Sequence, residues 1–506
     1  MKKYPAWLAL VVCLPYLGIA QDLRENLKEF EKNITEFTLA NGLHFIVLER
    51  HQAPVVSFHA HVNAGAVNDP AGRTGLAHMF EHMIGKGTQT VGTKNWPAEQ
   101  KALAAVEAAY RRLEEERRKE FRADPEKIKK LQAELDVKIK EANQYVVPNE
   151  FVQVIEENGA VGFNAGTALD ATQYFYSLPS NRAELWFLLQ SEWFKQPVYR
   201  EFYKERDVVR EERRMRTESN PIGRLQEMLL ATAFTAQPYR TVVGWASDIE
   251  NLTAADAQEF FKTYYVPANI TIAIAGDVTA AQARQLADKY FSPLPSGPLP
   301  PRMRTMEPKQ AGEKRVVVET PSQPFIFLAW HRPDQYDKDD AVFDVLASVL
   351  SSGRTGILYK EMVQEKKLAL QAVAFSTFPS AKYSSLFAVA SATGMGKTVE
   401  ENEKAFYQII ERLKKEKVDQ TTLDRVKTKI RAGLIRALDS NAGLASELAE
   451  TYASYGDWRK MFTAIEDIDR VTADDIQRVV RQYFVDSNKT VAYTVAPKQA
   501  AKEQAQ

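Results

Sequence analysis

Ile249 to Val278 (IENLTAADAQEFFKTYYVPANITIAIAGDV) and Ile468 to Pro497 (IDRVTADDIQRVVRQYFVDSNKTVAYTVAP) align when the sequence is shifted by 219 residues. Ile249/Ile468, Thr253/Thr472, Asp256/Asp475, Tyr264/Tyr483, Asn269/Asn488 and Thr271/Thr490 are identical pairs. Each copy reads as a capped helix, a loop and an alternating strand. Such self-similarity implies two homologous halves. The proline-rich stretch Phe291 to Pro301 (FSPLPSGPLPP) suits the linker between them.

Working outward, Phe37 to Leu48 and Arg315 to Glu319 read as strands, and Ala341 to Leu350 and Val399 to Lys414 as amphipathic helices. The expected class is α+β, with two homologous α/β-sandwich-like halves. Ala98 to Asn143 is rich in Ala, Glu, Lys, Arg and Leu and is broken at Ala123-Asp124-Pro125, which predicts a helical hairpin. Its charge is most simply a solvated surface; a gating or docking role is the alternative.

The chain has 506 residues, enough for more than one domain. Lys+Arg and Asp+Glu are balanced at 66 each, so no global attraction to nucleic acid or anionic membrane is implied. At the N-terminus, Lys2-Lys3 precede an apolar run from Ala6 to Ala20, and Gly18-Ile19-Ala20 ends it with small residues. This predicts a signal peptide cleaved after Ala20 and export, most simply to a periplasm. The run is short for a membrane span, so no integral span is expected after cleavage. The single cysteine, Cys13, lies inside it, preceded by Val11-Val12, which are bulkier than a lipid-attachment signal wants. The mature chain would then lack both disulfides and thiol chemistry.

Chemistry concentrates in Gly75-Leu76-Ala77-His78-Met79-Phe80-Glu81-His82-Met83. On a helix, residues four apart share a face, so His78 and His82 can hold one ion with Glu81 beside them. Two neutral imidazoles and a carboxylate leave a fourth zinc position for water, whose pKa falls toward roughly 7 and whose proton a nearby carboxylate can take. His-x-x-Glu-His is the inverted zincin order. Among the other histidines, His59 and His61 alternate on an expected strand, Val55 to Val62, and read as ordinary strand residues. His44, His51 and His331 read as surface or loop positions. Gly394-Met395-Gly396-Lys397-Thr398 fails as a nucleotide-binding loop, because Ser391 stands where the first glycine is required.

These residues resemble the insulinase/pitrilysin (M16-type) zinc metallopeptidases, and in particular the small bacterial relatives of mitochondrial processing peptidase. The likeness rests on residues 75–83, on Asn158 to Ala165 (NGAVGFNA), on Lys204 to Glu212 (KERDVVREE) and on the duplication. It implies Glu212 as third zinc ligand, Glu205 as the carboxylate supporting the site, and Glu81 as catalytic base. Helical geometry agrees, since residues seven apart at about 100° each return to nearly one face, while Glu211 points elsewhere. His82 and Glu212 are 130 residues apart, more than is usual in the family by about the length of the hairpin, which reads as an insertion. Asn164-Ala165 resembles the edge strand on which the family binds extended peptide by strand addition. The leader, the duplication and the proline-rich stretch divide the chain into a signal peptide (1–20), a first half (21–290, hairpin about 98–146) that the resemblance makes the metal-binding one, a linker (291–312) and a second half (313–499).

One departure stands out. Where catalytic M16 assemblies carry an arginine and a tyrosine in the second half, this chain has Val363 and Leu370, neither of which donates a side-chain hydrogen bond. The implied function is a zinc endopeptidase subunit (Zn2+) acting on unfolded peptides in a clamshell chamber. It would pair with a homologous subunit carrying that Arg/Tyr pair in a heterodimer, or else form a homodimer. A non-catalytic scaffold or peptide-binding subunit is the alternative.

Overall fold

The computed structural model describes residues 30–497; the expected signal peptide, with Cys13, lies outside them. Two sheets form the framework. The first contains β1 (Ile34–Thr38), β2 (His44–Glu49), β3 (Val55–Val62), β4 (Val161–Thr167), β5 (Thr172–Pro179) and β6 (Ile270–Gly276), in the order β1-β2-β6-β3-β5-β4. The second contains β7 (Lys314–Glu319), β8 (Phe325–Arg332), β9 (Ala369–Phe378), β10 (Ser385–Thr393) and β11 (Lys489–Val495), in the order β7-β11-β8-β10-β9. Without β1, the first order maps strand for strand onto the second. In both, the last strand in sequence is inserted parallel to the first and antiparallel to the next.

The 219-residue shift reappears in atomic detail. Thr253 and Thr472 each close a reciprocal cap with Asp256 and Asp475. Asn269 Nδ2 donates to Tyr264 O at 2.8 Å, and Asn488 Nδ2 donates to Tyr483 O at 2.9 Å. The β6 and β11 strands follow at the same offset. Identical polar pairs survive because each fixes a helix start or a helix-to-strand turn.

The halves exchange helices. Leu225, Leu229, Leu230 and Ala233 of the Pro221–Ala233 helix pack against Phe327, Ala329, Ala388 and Ala492 of the second sheet. In return, Leu444, Ala445, Leu448 and Ala449 of the Asn441–Tyr455 helix pack against Ile46, Leu48, Ala273 and Ala275 of the first. Trp458 Nε1 adds a 2.7 Å hydrogen bond to Glu36.

The expected helical hairpin is present as Trp96–Arg117 and Pro125–Asn143, with Asp124 capping the second helix and Pro125 in its first turn. Its base is held by the buried Arg200, whose guanidinium grips Glu99 at 2.6 and 3.0 Å and also donates to Thr88 O.

Two readings of the sequence require correction. Phe37 to Leu48 is not one strand but a hairpin of β1 and β2, turning at Asn41-Gly42, where Gly42 has φ +96°. His44 and His331 are not loop residues. His44 is buried on β2 and stacks on Tyr452 at 3.8 Å; His331 lies on β8, with Nε2 3.2 Å from Ala233 O.

Candidate metal centre

The Leu76–His82 helix is short, and its apolar residues anchor it. Leu76, Ala77, Met79 and Phe80 are buried, and Phe80 meets Tyr265 at 4.6 Å within an aromatic cluster. Its first turn is fixed by Asp69, which accepts the Gly75 and Ala77 N–H groups at 2.7 and 2.9 Å. Gly75 is required on two counts: φ is +87°, and a Cβ there would lie 2.3 Å from Val243 O. The free face then carries His78, Glu81 and His82.

The Phe202–Arg213 helix supplies the remaining groups. Glu212 Oε1 lies 3.7 Å from His78 Nε2, and Glu212 Oε2 lies 3.3 Å from His82 Nε2. The three donor atoms fall within 4.8 Å of one another. Tetrahedral zinc with N and O ligands near 2.0 to 2.1 Å would set its donors about 3.3 Å apart, so these residues fit the ion with small side-chain adjustments. On the far side of His82, Nδ1–H donates to Glu205 at 3.0 Å, and Glu205 in turn pairs with Lys86 at 2.6 Å. Glu205 therefore fixes the His82 ring with Nε2 facing Glu212. Glu211, by contrast, pairs with Arg214 at 2.6 Å.

The electrostatics follow from burial and partners. Burial, reinforced by the charge on His82, depresses His78 to about 4. Burial also opposes charge on His82, but Glu205 and Glu212 outweigh it and hold the ring up to about 9. Glu205 is half buried, yet His82 and Lys86 bring it down to about 2. Burial raises the Glu81 carboxyl, opposed by Thr167 and His82. A cation between the donors would take over the role of the His82 proton and leave both rings neutral.

The site opens into a cavity of about 860 Å³, lined by His78, Glu81, His82, Glu212, Val208 and Met215, and by the Asn164 to Thr167 stretch of β4. β4 is the sheet's edge strand, with Asn164 and Ala165 paired to Phe175 and Tyr174 on β5. Among the described residues, none from the second half lines this cavity. Val363 is half buried against the second half's own core, and Leu370 is exposed on β9. Neither His59 nor His61 belongs to the site; both are buried on β3.

Three further contributors are not singled out by the motif. Lys86 is four residues beyond His82, and Arg216, four beyond Glu212, reaches its Oε1 at 2.8 Å. Both spacings are those of same-face neighbours, a signal that could have found them. Thr167, beside Glu81, carries no such signal.

Comparison with known proteins agrees with this architecture. Residues 45–115 match the family profile described as "Insulinase (Peptidase family M16)", and residues 251–430 match "Peptidase M16 inactive domain". The chain is 27% identical over 490 residues to "Zinc protease PqqE" of Helicobacter pylori, covering 95% of this chain and 96% of that one. It is 23% identical over 481 residues to "Probable mitochondrial-processing peptidase subunit beta, mitochondrial" of Arabidopsis thaliana, covering 90% and 77%. The crystal structure of a protease from Helicobacter pylori superposes with a TM-score of 0.76 at 25% identity, covering 91% of this chain and 99% of that one. With its duplicated sheets and the inverted His-x-x-Glu-His helix set against a glutamate-bearing helix, this chain belongs to the M16 peptidase family.

Proposed function

We propose that the protein is a zinc-dependent endopeptidase subunit that cleaves extended, unfolded peptides. The observation that carries this reading is the convergence of His78, His82 and Glu212 beside a carboxylate outside that donor set, Glu81. Zinc held there supplies Lewis acidity and lowers the pKa of a bound water toward roughly 7. Glu81 takes the proton of the attacking water and returns it to the departing amine nitrogen, a role suited to a carboxyl raised by burial. The free edge of β4 at Asn164-Ala165 pairs with the substrate backbone, so side-chain identity matters less than extended conformation.

The decisive experiment compares Glu81→Gln with His78→Ala. Glu81→Gln should keep its zinc and lose hydrolysis of an unstructured fluorogenic peptide by a factor on the order of a hundred or more. His78→Ala should lose the metal itself. Full zinc occupancy in His78→Ala, or unchanged turnover in Glu81→Gln, would sink the assignment. A purified parent chain that binds no zinc would favour the scaffold reading.

The chain acts with a second, homologous subunit, either a different chain or another copy. Val363 and Leu370 cannot supply hydrogen bonds to a developing oxyanion, and each such donor is worth roughly 3 kcal/mol. That the Arabidopsis relative is named a subunit is in keeping with this. The chain alone should therefore turn over peptide about a hundredfold or more slowly than the assembled pair. Full activity alone, with no gain on adding the partner, would remove the requirement. The expected leader would direct this activity to an exported compartment; among the described residues no helix is long and apolar enough to cross a membrane.

A further inference from the structure

The inserted hairpin ends in a turn whose composition differs from that of its shafts. Arg117-Arg118-Lys119-Glu120-Phe121-Arg122 surrounds a phenylalanine that is 91% exposed; Arg117 is paired with Glu114 at 3.0 Å, on the shaft below. Phe121 does not fold back onto the hairpin. Glu120 adopts φ +54°, an unfavourable left-handed conformation for a residue with a Cβ, and the short helical turn Glu120–Arg122 points the ring outward. Arg122 stands over the ring at 5.8 Å. Arg118 and Arg122 form no ion pair among the described residues, whereas Lys119 and Lys127 are drawn in by the buried Glu116.

The arm beneath this turn is rigid. Its first helix has 22 residues, about 33 Å at 1.5 Å per residue. It is locked to the body by the Arg200–Glu99 pair, by Tyr203 donating to Glu107 at 2.9 Å, and by Tyr110 stacked on Tyr203 at 4.4 Å. An aromatic side chain held out at such a turn, with Arg122 over its ring and Arg118, unpaired among the described residues, three residues before it, is an apolar tip flanked by two guanidinium groups.

We propose that this tip docks the protein on an anionic phospholipid surface, with Phe121 entering the headgroup boundary and Arg118 and Arg122 meeting lipid phosphates. Shape favours lipid over a protein partner. A convex turn offering one apolar side chain buries far less than the roughly 1,000 Å² of a stable protein interface, while headgroups can close around it from every side. Charge favours it as well, since each cation near an anionic leaflet adds attraction that salt removes.

The test is co-sedimentation of the purified full chain with phosphatidylglycerol/phosphatidylcholine vesicles and with phosphatidylcholine vesicles alone, at low and high salt. The parent should sediment with the anionic vesicles only, and high salt should release it. Phe121→Ser should weaken binding roughly tenfold or more, and Arg118→Glu/Arg122→Glu by at least about tenfold. Both variants should retain the parent's thermal midpoint and peptide turnover, because these side chains are exposed and lie outside the cavity. The apolar N-terminal run is common to all the chains compared, so it cannot produce a difference between them. Failure of the parent to sediment with anionic vesicles, or sedimentation of either variant equal to the parent's, would overturn the proposal. So would a Phe121→Ser chain that binds vesicles like the parent but loses a bound protein subunit, which would make the tip a protein-docking element.

Discussion

At the scale of single residues, spacing alone reveals much of the site. His78, Glu81 and His82 are legible because a four-residue helical repeat fixes their relation locally. Lys86 is less legible. The helix tightens after His82 into the Met83–Lys86 turn, and the partner that gives Lys86 its role, Glu205, arrives from a distant helix. With Lys86 removed, Glu205 would lose the cation that keeps it ionised and aimed at His82. Lys86→Met should therefore weaken zinc binding by about tenfold in a chelator competition, the scale expected of groups that orient metal ligands; an unchanged affinity would show that Glu205 needs no such support. The buried β3 histidines set a pH dependence. Burial depresses His59 to about 4 and His61, which also faces His59 and Lys382, to about 3, from 6.5. Both are neutral in the fold, whereas the unfolded chain protonates them below 6.5. Their contribution is thus intact above that pH and is lost as pH falls toward 4. For His59 alone the loss between pH 7 and 5 is about 2 kcal/mol. In His59→Phe the midpoint should drop roughly 2 °C less over that interval; identical acid limbs would argue against a neutral buried ring.

At the scale of elements, both long helices of the hairpin and the capped helix-to-strand repeats are readable, because caps, proline and periodicity act within a few residues. The β1–β2 turn is harder to read although its signal is present: Asn41-Gly42 is a hairpin dipeptide, and the apolar residues either side of it obscure the break. Placement of the metal helix depends on a contact between elements that no local pattern encodes. Gly75 and Gly244 lie against one another's chain, and a Cβ on either would stand 2.3 Å from a carbonyl oxygen of the other's loop. Gly75→Ala must therefore displace the start of the Leu76–His82 helix from the Trp245 loop, and His78 with it. Gly72, with φ +79° but open space around it, is the matched control, in which alanine should cost only about 1 kcal/mol of backbone strain. Bound zinc should fall in Gly75→Ala and stay near stoichiometric in Gly72→Ala. Equal zinc content in the two variants would mean that the interlock does not position the helix.

At the scale of the whole molecule, duplication is legible but the exchange of helices is not. The Pro221–Ala233 and Asn441–Tyr455 helices each show an apolar face, yet nothing in an amphipathic pattern names the sheet that will cover it. Each half lends a helix to the other's sheet, so neither half can complete its own core. The two are joined besides by a polar bridge in which Tyr239 donates to Asp170 at 2.7 Å and Tyr383 N–H donates to Tyr239 at 3.1 Å. The linker, by contrast, contributes no strand or helix from Ser292 to Gly312. It follows that cutting the chain within Ser296-Gly297-Pro298 should leave the assembled protein intact, whereas either fragment made alone would expose an apolar sheet face. Leu225, Leu229 and Leu230 on one fragment and Leu444 and Leu448 on the other would have no partners, a loss of several side-chain burials at roughly 2 kcal/mol each. Separately expressed fragments should aggregate or bind a hydrophobic dye, and co-expressed fragments should purify as a one-to-one complex with zinc bound. A first-half fragment that unfolds cooperatively as a soluble monomer would show that the exchanged helices are accessories to the fold and that the metal site needs only its own half.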